Sequence, residues 1–70
     1  MTIDFPEPLL DLERRAWEQI QAGQLTVDAA HAVHQGVAKF VAAAKEAGSP
    51  VARYEVEMGL KRIVRNPAEG

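Results

Sequence analysis

Two histidines, His31 and His34, lie three residues apart in the stretch HAVHQG and are the first candidates for chemistry in this chain. Imidazole nitrogens bind zinc and related metals, and a histidine can also act as a general base near neutral pH. On a helix, three residues turn the chain by about 300°, so the two side chains would point in neighbouring directions. Together they could hold one metal ion.

The pattern around these histidines is nevertheless poor for metal binding. Helical zinc pairs are usually four residues apart and have a further ligand, as in HExxH, which is missing from the sequence. Only Glu13, on another predicted helix, could be a third ligand. We therefore interpret both histidines as packing or boundary residues, and predict no metal and no cofactor. If His34 lies next to Glu13, the pair would form a pH-sensitive contact.

Other catalytic arrangements are equally sparse. The chain has no cysteine, no glycine-rich phosphate loop, no paired-carboxylate motif and no GxSxG. Thr26 and Ser49 are better explained as helix caps than as nucleophiles. A chain of 70 residues also has little room for a substrate pocket. We predict that the protein is not an enzyme and has no small-molecule substrate.

Length and composition indicate one small globular domain. The chain is 47% hydrophobic and 26% charged, which is typical of a folded protein. Domains this short usually need a disulfide, a structural metal, unusually good helix packing or a partner chain. No run approaches the roughly 18 apolar residues of a membrane span, and MTIDFPEP does not resemble a signal peptide. We expect a cytoplasmic protein without membrane contact.

Capping signals divide the chain into three helices. Gly23 and Gly48 each follow a helix-like run and precede a capping residue, Thr26 and Ser49. Pro50 suits a first helical position, and the first helix should begin between Pro6 and Pro8. The predicted helices span about 7–22, 27–47 and 50–65, within a single domain 1–70 with loose ends at 1–5 and 66–70.

Apolar residues in the second helix recur at spacings of three and four, which favours a seam packed against a neighbour. They are Ala30, Val33, Val37, Phe40, Ala44 and Ala47. Beside them Ala29, Gly36 and Ala43 repeat every seven residues and would allow close helix packing. The predicted fold is all-α: a three-helix bundle, or a hairpin-like helical domain, with a long central helix and completed by dimerisation.

The third segment has a second interpretation. Tyr54, Val56, Met58 and Leu60 alternate with polar residues or glycine, as in a half-buried strand over 53–60 that would pair between subunits. We favour a helix, because a lone strand has no partner within this chain.

Glu13 falls within the apolar face of the first predicted helix, and its side chain has two possible environments. It should lean out to water, although it could instead meet a base from another helix.

As a helix, the third segment carries more apolar surface than one small monomer can bury. Its core-facing side consists of Ala52, Val56, Leu60, Ile63 and Val64. A second, narrower stripe consists of Val51, Tyr54 and Met58, and is flanked by Arg62 and Arg65. Tyrosine, methionine and arginine together are typical of protein contact surfaces. We predict a non-enzymatic interaction module that forms a homodimer or binds another protein through this stripe.

A DNA-binding alternative remains. Residues 40–59 resemble a degenerate helix-turn-helix, as in small dimeric regulators and antitoxins. In that interpretation Ser49, Arg53 and Tyr54 would read or hold DNA, and Lys61, Arg62 and Arg65 would contact its backbone. Against it, Glu55 and Glu57 would repel phosphate and the net charge is −2.

Charge and composition are also uneven along the chain. Acidic residues dominate up to Asp28, whereas residues 61–65 are basic, so the two ends could attract each other. The alanine, valine and arginine usage is typical of a high-GC bacterial genome.

Overall fold

Three α-helices make up the fold. The computed structural model describes residues 4–65, with α1 at Glu7–Gln21, α2 at Val27–Glu46 and α3 at Arg53–Arg65. No strand occurs within this range, which confirms the all-α prediction. The strand alternative for 53–60 is wrong, because these residues lie in α3. None of the helices in the described range has both the length and the apolar character of a membrane-crossing segment.

The structure confirms the predicted end of α1 and the predicted start of α2. Gly23 has a φ of 72°, which closes α1 in the left-handed region. Thr26 caps α2, since its hydroxyl oxygen accepts a hydrogen bond from the backbone N–H of Ala29 at 3.1 Å. The Gln19 side-chain oxygen accepts from the N–H and the hydroxyl of Thr26, at 2.9 and 3.0 Å. The end of α1 and the start of α2 are thus tied together.

The second turn differs from the prediction. Gly48 has a φ of 82° and ends α2 as expected, but α3 begins at Arg53 rather than near Pro50. The first helical bond of α3 joins the N–H of Val56 to the carbonyl of Ala52. Val51 is half-buried and packs against the core. Ser49 and Pro50 therefore belong to the connection, which leads Val51 inwards before the helix starts.

All three helices contribute to one core. Its buried apolar members are Phe5, Leu9, Leu10, Val37, Val56 and Leu60, with Val33, Phe40, Val41, Val51 and Val64 packed against them. Phe5 corrects our expectation of a loose end at 1–5. It is buried, and its ring centroid lies 5.4 Å from that of Phe40. The other residues predicted to be loose, 1–3 and 66–70, lie outside the described range, and Asp4 is exposed.

The predicted strip of small residues on α2 is only partly used for packing. Ala29 is buried, and a Cβ at Gly36 would lie 2.8 Å from Leu9 Cδ1 and 3.2 Å from Leu12 Cδ1. Gly36 therefore allows α1 to approach α2 closely. Ala43 is exposed. Within the monomer α1 does not cover that end of α2, so close helix packing at Ala43 stays a prediction.

Replacing Gly36 by valine should destabilise the domain. The new side chain would displace Leu9 and Leu12 from α2, and such overpacking costs about 1–3 kcal/mol. Urea denaturation followed by circular dichroism measures the loss. Ala42→Val is the matched control, because Ala42 is exposed on the same helix and its change should stay within about 0.5 kcal/mol. Equal stabilities of the two variants would contradict the close approach of α1 at Gly36.

Candidate functional site

The two histidines have different surroundings. Both are exposed on α2, but they differ in their partners. His34 is bound by Arg53 of α3, whose Nη2 lies 2.9 Å from His34 Nδ1 and 3.3 Å from the His34 carbonyl oxygen. A guanidinium can only donate, so Nδ1 acts as the acceptor in this contact. The nitrogen nearest to α3 is therefore already engaged.

Arg53 also bonds within α3. Its Nε donates to Glu57 Oε2 at 3.2 Å, an i, i+4 ion pair of the kind that stabilises helices. Between residues 4 and 65, no three histidine, aspartate or glutamate side chains are grouped closely enough to hold a metal ion. The structure thus gives His34 a role in joining α2 to α3 through Arg53.

Glu13 corrects two expectations. It does not lean out to water, since only 3% of it is exposed. Its Oε2 instead accepts from Arg65 Nε at 3.2 Å, and Arg65 Nη2 is also 3.2 Å away. The predicted contact between Glu13 and His34 is absent, because each side chain bonds to a different arginine. The basic residue that pairs with Glu13 is Arg65, the last residue that the structure describes.

Arg65 has a second partner on α1. Its guanidinium carbon lies 4.7 Å from the centroid of the Trp17 ring, in a cation–π contact. The same arginine thus neutralises a buried carboxylate and covers an aromatic face. This binding fixes the end of α3 against α1. It also removes Arg65 from the outward stripe in which the sequence had placed it.

A cleft of about 240 Å³ lies between the three helices at this end. Its apolar wall includes Ile20, Leu25 and Leu60, and its polar lining includes Glu13, His34, Glu57, Lys61 and Arg65. Most of these polar side chains are already paired across or along helices. No thiol, and no hydroxyl beside a base, lines the cleft. The paired side chains of the cleft join the helices at this end.

The outward side of α3 carries two exposed apolar residues one helical turn apart. Tyr54 is 70% exposed and Met58 40% exposed, and Arg62 is exposed beside them. We call these three residues the outer face of α3. Val51 belonged to the same predicted stripe, but it packs against the core instead. The structure therefore keeps three of the five predicted interface residues together at the surface.

A second surface is concave, and the sequence analysis did not predict it. An open groove of about 530 Å³ runs between α1 and α2. It is lined by Pro6, Pro8, Leu9, Leu12, Ala32, Gln35, Gly36, Lys39, Phe40 and Ala43. A smaller depression continues from it along Leu12 and Ala32 to Arg15 and Asp28. We call the two together the α1–α2 groove. The small residues of α2 are the sequence feature that could have indicated this groove, but the sequence analysis interpreted them as sites of close helix packing.

The structure separates the residues of the DNA-binding alternative. Six residues, 47–52, connect α2 to α3, whereas a helix-turn-helix usually has a turn of about three to four. Arg53 is held by His34 and Glu57, and Arg65 by Glu13. Ser49, Tyr54, Lys61 and Arg62 remain exposed. Of the basic residues in the DNA-binding interpretation, the exposed ones are Lys61 and Arg62, in the second half of α3.

The described residues form an all-α, three-helix domain whose surface includes the convex outer face of α3, the concave α1–α2 groove and the cleft between the three helices. No protein-family model, no curated protein and no solved structure matches this chain.

Proposed function

We propose that this protein is a non-enzymatic, cytoplasmic interaction module that self-associates through the outer face of α3. The observation that carries the proposal is the 70% exposure of Tyr54 beside Met58, which is 40% exposed. Arg62 borders this pair. Tyrosine, methionine and arginine are enriched at protein interfaces and tyrosine and arginine recur among residues that dominate binding.

The small core gives self-association a physical benefit. The fully buried side chains of the described residues are Leu60, Val37 and Val56. A domain of this size buries a modest share of its apolar surface on folding. Burial of Tyr54 and Met58 against a second chain would add to that share, and association of folded chains would shift the folding equilibrium towards the native state.

Replacing Tyr54 and Met58 together by glutamate should abolish association without unfolding the helices. Two added charges on the contact surface would have to be buried unpaired, which strongly disfavours binding. Light scattering over about 10 μM to about 1 mM, a range suited to weak complexes, should show a mass that rises with concentration for the wild type and stays monomeric for the variant. Circular dichroism should show equal helicity.

The matched control is Ala38→Glu with Ala42→Glu. These residues are exposed on α2 and four positions apart, as Tyr54 and Met58 are on α3, and they line neither the cleft nor the groove. This control should associate as the wild type does. A wild type that remains monomeric over the whole range would overturn the proposal, as would equal loss of association in both double variants.

A DNA-binding role is the second candidate, and the exposure of Lys61 and Arg62 beside Tyr54 is the observation that favours it. Exposed Glu55 and the engaged Arg53 oppose it. Addition of duplex DNA at low salt to the same light-scattering samples distinguishes the two functions. Binding that weakens steeply with salt would support DNA recognition, whereas the interaction module predicts no complex with DNA.

A further inference from the structure

We propose that the outer face of α3 in one copy occupies the α1–α2 groove of a second copy. This inference rests on the proposed self-association and adds the surface that receives Tyr54 and Met58. Shape, floor composition and charge each support it.

The shapes of the two surfaces match. The groove is concave and mainly apolar, with Pro8, Leu12 and Phe40 among its lining residues. No residue of α3 lines it, so it opens on the side of the α1–α2 pair that α3 leaves uncovered. Tyr54 and Met58, four residues apart, project from the outward side of a helix and form a convex ridge. A ridge seated in this groove would shield apolar atoms of both surfaces from water.

The floor of the groove suits a helix in particular. Ala32 and Ala43 are eleven residues apart on α2, about three helical turns, and line the same groove on either side of Gly36, where Leu9 and Leu12 of α1 already pack. Small side chains permit a second helix to approach closely, so that large side chains of the incoming helix can reach the walls. This also gives Ala43 a role, since it is exposed in the monomer.

Charge sets an orientation. Lys39 lies at the Phe40 end of the groove, and Asp28 lies at the other end. On α3 an acidic residue, Glu55, is exposed near the start of the helix, and two basic residues, Lys61 and Arg62, are exposed near its end. An α3 that runs antiparallel to the α2 of the second copy would place Glu55 near Lys39 and Arg62 near Asp28. Oppositely charged groups are thereby matched at both ends.

The acidic side of α1 reinforces this orientation. Asp11 and Glu18 are exposed and seven residues apart, and so share a stripe beside the groove residues Leu12 and Arg15. Arg14 pairs with Asp11 at 2.6 Å and with Glu7 at 3.3 Å. The pKa of Arg14 is raised, first by its hydrogen bond to Glu7 and further by Asp11, and the residue stays protonated. Glu18 and Asp28 together leave acidic groups for Lys61 and Arg62, with Arg15 between them as the one opposing charge at that end.

The contact is head-to-tail rather than symmetric. Groove and ridge lie on different sides of the same molecule, so a single contact leaves one groove and one ridge open. Such heterologous contacts either close into rings or continue to add copies. The expected mass therefore rises beyond that of a dimer as concentration increases.

Engineered cysteines test this arrangement directly, because the chain has no cysteine of its own. One preparation carries Met58→Cys on the ridge, and another carries Gln35→Cys, whose position lines the middle of the groove. The two are mixed under oxidising conditions and analysed by non-reducing gel electrophoresis and mass spectrometry. The mixed disulfide should exceed, several-fold, the yield from Met58→Cys mixed with Gln24→Cys, an exposed control in the α1–α2 turn.

The possible outcomes separate this inference from the proposed function. A disulfide formed mainly between two Met58→Cys chains would show ridge against ridge, and would overturn the groove as receptor while leaving self-association intact. Equal yields with Gln35→Cys and Gln24→Cys in a protein that associates by light scattering would also overturn it. A wild type that is monomeric by light scattering would overturn both proposals together.

Discussion

Replacement of Arg65 by alanine is expected to destabilise the domain by about 2–4 kcal/mol, because it leaves Glu13 buried without a cation. The Glu13 side chain is 4% exposed and that of Arg65 27% exposed, so the carboxylate has little access to water as a substitute partner. The variant also loses the contact with the Trp17 ring. Urea denaturation followed by circular dichroism measures the change in the free energy of unfolding.

Two further variants show that the effect comes from the unpaired carboxylate. Arg62→Ala lies on the same helix but at an exposed position, and should change stability by less than about 0.5 kcal/mol. Glu13→Leu combined with Arg65→Met removes both charges and fills the same space with apolar side chains. It should therefore recover most of the stability lost in Arg65→Ala. A double variant less stable than Arg65→Ala would contradict the proposed cause.

Replacement of Leu60 by alanine should have an effect at least as large. Leu60 is 0% exposed, and loss of a fully buried leucine side chain costs about 2–5 kcal/mol. Domains have roughly 0.05–0.15 kcal/mol of stability per residue, so this loss would consume much of what a chain of 70 residues has. A large unfolded fraction at 25 °C should appear as reduced helicity in circular dichroism.

Ile63→Ala is the matched control for Leu60→Ala. Ile63 lies three residues further along α3 and is 37% exposed, so its truncation removes less buried area and should leave most of the helical signal intact. If the two variants lost equal stability, α3 would not present Leu60 to the core in the way the structure shows.

The ends of α1 and α2 could be predicted from the sequence because their causes are local. Gly23 and Gly48 adopt positive φ where a helix must close, and Thr26 supplies the acceptor that the first turn of α2 needs. Val56 and Leu60 were also identifiable as core residues from their spacing. Each of these features depends on a few consecutive residues.

The pair of Glu13 and Arg65 could not be predicted in the same way. These residues are 52 positions apart, and their meeting depends on where α1 and α3 cross. The contact between His34 and Arg53, 19 positions apart, depends likewise on the packing of α2 and α3. Helical periodicity indicates which side of a helix is apolar, but it does not determine which charged side chain of another helix comes within hydrogen-bonding distance.

The start of α3 and the α1–α2 groove have a similar explanation. Ser49 and Pro50 are a strong local signal for a helix start, but the burial of Val51 overrides it. The groove exists because Leu9 and Leu12 pack at Gly36 while α1 leaves Ala43 uncovered. Such a concave surface is a property of the spacing between two helices, and neither sequence segment shows it alone.

The stacking of Arg65 on Trp17 provides an intrinsic optical probe. Trp17 is the chain's single tryptophan, and a guanidinium 4.7 Å from its ring centroid alters the electric field and the solvent access of the indole. Its emission spectrum therefore reports whether the last turn of α3 is seated on α1. Separation of these two helices can be followed in unlabelled protein, independently of total helix content.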